Sequence, residues 1–114
     1  MINIRPANST SDTAACLWDR YEAIYDELEV LTNPALATDR AITDNLADQA
    51  NCVLVALSYA QPRSHSGAAA VLRAAKILAE NAADYADPAE AAECGAAHER
   101  CMKTAIAFVE RQVA

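Results

Sequence analysis

Two glycines, Gly67 and Gly95, and four prolines, Pro6, Pro34, Pro62 and Pro88, are the only strong backbone punctuation in 114 residues. A β-sandwich of this length needs many glycine-bearing turns and an alternation of β-branched or aromatic residues, and neither is present. The prolines fall 28, 28 and 26 residues apart, each where an apolar period breaks. Proline has no amide donor and clashes with the preceding turn, so it ends helices, yet it fits the first helical position. The spacing therefore predicts an all-α, single-domain antiparallel four-helix bundle, with helices over roughly 10–32, 35–60, 65–86 and 88–112 after an extended N-terminal arm, residues 1–8. The residues that follow each proline do not align, so the regular spacing is architecture and not a sequence repeat.

Helix starts can be placed from their caps. Asp87-Pro88-Ala89-Glu90 carries an N-cap acid, a proline at the first helical position and a glutamate three residues after the cap. Ser64 or Ser66 suits the third helix, Ser9 or Ser11 the first, and Asn33 or Thr38 the second. In the first helix Ala14, Leu17, Tyr21, Ile24, Leu28 and Leu31 follow a 3-4-3-4-3 spacing, the seam of a helix lying nearly parallel to a neighbour, with Trp18 and Tyr25 on one flank. Asp12, Asp19 and Asp26 recur every seven residues on the opposite face beside Glu22 and Glu29. The net charge of −7 is thus distributed as −5 over residues 7–33, −2 over 35–61, 0 over 63–87 and −1 over 89–114, with Arg5 adding +1.

The apolar content is weaker than it looks. Of 61 apolar residues 28 are alanine, which permits close helix contact but supplies little area to bury. The second helix is apolar around its circumference between Gln49 and Gln61, through Cys52, Val53, Leu54, Val55, Ala56 and Leu57, so that stretch is expected at the centre of the bundle or in a subunit interface. So alanine-heavy a core predicts modest stability and a homo-oligomer, most simply a homodimer through the surfaces of helices 1 and 2.

Nine basic against sixteen acidic residues argue against direct contact with nucleic acid or an anionic membrane. No signal-like apolar core opens the chain and no run reaches the length of a membrane span, so a cytoplasmic protein is expected. In a reducing compartment Cys16, Cys52, Cys94 and Cys101 would be thiols and not a disulfide framework. Cys94, His98 and Cys101 occupy positions i, i+4 and i+7 of one inward face, a soft-donor set that suits zinc or copper. At about 1.5 Å rise per residue the outer two stand about 10.5 Å apart, which fits two donors on one ion better than three. The competing expectation is a core histidine bonded to a polar side chain such as Tyr21. Glu-x-x-His pairs, nucleophile elbows and phosphate loops are absent, and the sequence implies neither catalysis nor a cofactor.

The stretch Gln61-Pro62-Arg63-Ser64-His65-Ser66-Gly67-Ala68-Ala69-Ala70-Val71-Leu72-Arg73 resembles the Pro-x-Ser/Thr-x-x-Gly-x-x-Ala entry into a helix found in small, alanine-rich, uncharacterised helical proteins of bacteria and prophage-like regions. The resemblance covers about a dozen residues and implies a bacterial helical protein with no stated activity. Function is expected to be helix-face docking on a protein partner. Trp18 and Tyr25 would be anchors, because Trp and Tyr dominate interface hot spots. Asp19, Glu22, Asp26 and Glu29 would select a basic partner, as an acidic inhibitor of a nucleic-acid-handling enzyme of the anti-defence type would do. The rival expectation is a metal or thiol sensor built on Cys94, His98 and Cys101.

Overall fold

The computed structural model describes residues 12–36 and 39–113. Four α-helices make up nearly all of it: α1 (Thr13–Leu31), α2 (Arg40–Leu57), α3 (His65–Asp84) and α4 (Pro88–Val113). A single 3₁₀ turn, Pro34–Leu36, bridges α1 and α2, and no strand occurs among the described residues. The arm expected over residues 1–8, and Ser9, Ser11 and Thr38 as caps, lie outside the described residues.

Each helix start has a chemical cause. Asp87 Oδ1 accepts from the Ala89 amide at 2.9 Å, and Pro88 begins α4. Ser64, of the two serines expected there, caps α3 by accepting from the Gly67 amide at 3.0 Å. The second helix is capped by Asp39, which accepts from Ala41 at 2.8 Å; Asn33 instead opens the 3₁₀ turn, its carbonyl accepting from Leu36. A fixed φ suits Pro34 to that tight turn, and the α-helix begins six residues later than the proline alone suggested.

Asp12 differs most from its expected place. It is fully buried and is the N-cap of α1, so it does not belong to the acidic face. Its Oδ1 accepts from the Ala14 and Ala15 amides at 3.1 and 3.3 Å; its Oδ2 accepts from the Arg63 amide at 3.2 Å and from the Ser64 hydroxyl. One carboxylate thereby ties the start of α1 to the α2–α3 connection and to the cap of α3. Gly67 lies against it: a β-carbon there would stand 2.6 Å from Asp12 Cγ and closer still to its oxygens. That contact, and not backbone freedom, requires glycine.

With Asp12 at Gly67 and Trp18 beside Arg73, α1 and α3 run parallel. The pairs His98–Ala75 and His65–Phe108 set α4 antiparallel to α3, and α2 runs antiparallel beside α1. The topology is the expected antiparallel four-helix bundle, built as two hairpins, α1–α2 and α3–α4, joined chiefly where α1 meets α3. No comparable α1–α4 interface closes it. The molecule measures 50 × 44 × 15 Å, and its radius of gyration of 16.1 Å exceeds the roughly 13 Å of a compact chain this long. The α1–α2 and α3–α4 hairpin turns lie at one end of this slab, and the α2–α3 connection lies at the other.

The α1 seam packs as its spacing predicts: Ala14, Tyr21 and Ile24 are buried, with Leu17 and Trp18 half-buried against the same cluster. Leu54, Leu57, Val71 and Leu78 are the largest fully buried apolar side chains, and Tyr21, Ile24, Val53, alanines, Cys94 and Cys101 complete the cluster. In α2, Val53, Leu54 and Leu57 are central as expected, while Cys52 and Ala56 open to solvent. At the end away from the hairpin turns, Arg100 from α4 lies 4.1 Å over the Tyr59 ring and donates from Nε to Ser58 Oγ at 3.1 Å. No helix among the described residues is long and apolar enough to cross a membrane.

Candidate functional site, an aromatic and acidic groove

A groove of about 830 Å³ lies between α1, α2 and the C-terminal half of α3. Four aromatic side chains line it, Trp18, Tyr21, Tyr25 and Tyr85. The helical spacing of the first three stacks them along α1: the Trp18 and Tyr21 ring centroids are 5.1 Å apart at 22°, and those of Tyr21 and Tyr25 are 5.7 Å apart at 34°. Tyr85 follows α3 directly; its own amide closes the helix on Asn81, which turns its ring back to the groove. Four carboxylates share the lining, Glu22 and Asp26 from α1 and Glu80 and Asp84 from α3, and no described lysine, arginine or histidine does. On the α2 side Asn51 contributes a buried Oδ1 that has no hydrogen-bond partner among the described residues.

The phenols register this environment. Burial, then the neighbouring Tyr25, Tyr85 and Glu80, push the Tyr21 hydroxyl up to about 12. Tyr85 is raised by burial first, then by Cys94, Glu90 and Asp48. Both stay protonated donors at neutral pH. The half of the molecule that holds the two hairpin turns, residues 20–49 and 75–98, carries a formal charge of −9, and the remainder of the chain carries +2.

Of the residues singled out from the sequence, the fold brings Trp18, Glu22, Tyr25 and Asp26 together in this groove. Tyr25 keeps 47% of its surface exposed, which leaves it available as an anchor. Asp19 belongs instead to a neighbouring depression, shared with Trp18, His65 and Arg73, whose guanidinium lies 5.8 Å from the Trp18 ring. Glu29 is exposed and lines neither. Sequence reasoning missed Tyr85, Glu80, Asp84 and Asn51. They come from other segments, and only the parallel pairing of α1 with α3 puts them opposite Trp18 and Tyr25.

Cys94 and Cys101 are buried, and their thiols are pushed up, Cys101 to about 11, in both cases chiefly by burial. That disfavours the thiolate a soft metal needs. His98 is held by a 2.8 Å hydrogen bond between Nδ1 and the Ala75 carbonyl oxygen, in place of the Tyr21 side chain expected from sequence. Among the described residues no three His, Cys, Asp or Glu side chains come together at metal-holding distances. Comparison with family models, with curated proteins and with solved structures gives no match.

Proposed function

We propose that this chain is a protein-interaction module that acts by docking a cationic segment of a partner protein into the aromatic and acidic groove, without chemistry of its own. The observation that carries this reading is the lining: four aromatic rings and four carboxylates with no cation among them. Aromatic faces attract lysine and arginine through their quadrupoles, and arginine also stacks on them. The carboxylates supply long-range attraction and penalise acidic partners. A protein that handles nucleic acid carries such basic segments, so an inhibitor of one is the sharper form of the proposal.

Trp18 is the only tryptophan and lines the groove, so its fluorescence reports occupancy directly. Titration with a short Arg/Lys-rich peptide at low ionic strength is expected to give a saturable change that weakens as salt screens the charges. Glu22→Lys and Asp26→Lys should each weaken binding about fivefold, near the upper value of about 1 kcal/mol for an exposed ion pair. Equal affinity of the doubly reversed chain, or equal response to an acidic peptide, refutes the reading.

A further inference from the structure

Charge and exposure together locate a surface on which a second copy of the chain would seat. Two turn-bearing ends at −9 each repel one another, so contact between copies belongs at the other end. There Met102, Ile106, Val109 and Val113 fall at 4-3-4 spacing on α4, and span only about 60° of its circumference. This stripe lies to one side of the face that Cys94, Ala97, Cys101, Ala105 and Phe108 bury. Ile106, Val109 and Val113 are 52%, 53% and 78% exposed, the one run of large exposed apolar residues on a single helix face among the described residues. The others are scattered: Val30, Leu36 and Ile42 lie at the acidic end, Tyr25 lines the groove, Leu72 is a single such residue on α3, and Tyr59 already sits beneath Arg100.

We propose that α4 pairs with α4 of a second copy, antiparallel, through this stripe. The pattern is self-complementary. With the two-fold axis midway between Ile106 and Val109, each Ile106 meets Val109 of the second copy, and Met102 meets Val113. Lys103 and Glu110, seven residues apart on one flank of the stripe, are exposed and form no ion pair among the described residues. In an antiparallel pair that flank faces itself, so each Lys103 lies within reach of the other copy's Glu110, twice by symmetry. The proposal replaces the α1–α2 surfaces, the expected site of dimerisation, where the acidic residues gather. It also leaves the two grooves at opposite extremities of the pair, so a dimer would hold two cationic segments at once and gain from their linkage.

Sedimentation equilibrium of the full chain tests this independently of what the groove binds. The expected result is a mass of twice 12.2 kDa at about 100 μM. Val109→Lys and Ile106→Asp should return the 12.2 kDa monomer with unchanged helical circular dichroism, since both side chains face solvent in the single chain. Lys103→Glu should weaken the dimer about tenfold, and Lys103→Glu combined with Glu110→Lys should restore it. If an apolar variant fails to fold, the charge swap decides alone, because it touches no core residue. A wild-type monomer throughout, or dimerisation indifferent to all four changes, overturns the proposal.

Discussion

Replacing Gly67 by alanine isolates the contact that joins α1 to α3. In an unobstructed helix interior the change stabilises by about 0.8–1.0 kcal/mol, because alanine loses less backbone entropy on folding. Gly95 is such a position, with nothing within 4 Å of an added β-carbon, so Gly95→Ala should raise stability by roughly that amount. At Gly67 the new atom stands 2.6 Å from Asp12 Cγ, where carbon atoms prefer about 3.5–4.0 Å. The carboxylate cannot retreat without releasing the Ala14, Ala15, Arg63 and Ser64 donors. Loss of the cap costs about 1 kcal/mol, and stranding buried donors adds about 1–3 kcal/mol. Set against the propensity gain, Gly67→Ala should destabilise by about 1–3 kcal/mol, a fall in Tm on the order of 10 °C. Urea denaturation of wild type, Gly67→Ala, Asp12→Ala and the double variant measures it. In the Asp12→Ala background the same glycine change should become stabilising, which gives a coupling of about 3 kcal/mol. If Gly67→Ala stabilises the native chain as Gly95→Ala does, or costs as much without the Asp12 carboxylate as with it, the account is wrong.

The buried thiol makes stability fall in alkali. The Cys101 pKa is raised from 9.0 to about 11 on folding, so its contribution is complete below pH 9 and lost as pH rises through 11; the loss is about 3 kcal/mol, and the urea midpoint between pH 8 and 11 should drop accordingly, by less in Cys101→Ala. At pH 8 a thiol reagent should label the exposed Cys52 at once, and Cys94 and Cys101 only at the rate of unfolding, which stopped-flow labelling followed by mass spectrometry resolves. Arg100→Ala should cost about 1–2 kcal/mol by removing the stack on Tyr59 and the bond to Ser58, and Arg100→Lys should recover only part of it, because an ammonium has no planar face.

What was legible in the sequence was whatever a single helix encodes by itself. Pro88 with Asp87 marks the start of α4, the pair Ser64 and Ser66 narrows that of α3 to two positions, and the 3-4 spacing from Ala14 to Leu31 traces the seam of α1. What one helix cannot encode was misread or missed. Asp12 falls in step with Asp19 and Asp26, yet it also stands just before the first helical residue, and the capping role prevails because a buried carboxylate there satisfies four donors from two chain segments. His98 bonds to a backbone carbonyl, an acceptor that residue types do not advertise. Trp18 and Tyr25 flank the seam as their spacing predicts, but the groove beside them takes its other wall from α2 and α3, which no single helix encodes.

The charge distribution shows the same limit and gives it functional weight. Divided between prolines, the acidity is concentrated in the first helix. Folding regroups it by height along the bundle: the end of α1, the start of α2, the end of α3 and the start of α4 meet at one extremity, and acids contributed by all four helices combine there to −9. Self-repulsion of that kind destabilises the free chain, and nothing in the core requires it, since the hydrophobic cluster is continuous without these carboxylates. A cationic segment in the groove would relieve the repulsion and cover the Trp18–Tyr21–Tyr25 rings in the same step. Binding strength and stability are therefore tied to the same side chains: Glu22→Gln and Asp26→Gln should stabilise the free chain slightly while weakening its hold on a basic peptide. A pair of changes that stabilised the chain and left binding intact would separate the acidic end from the site.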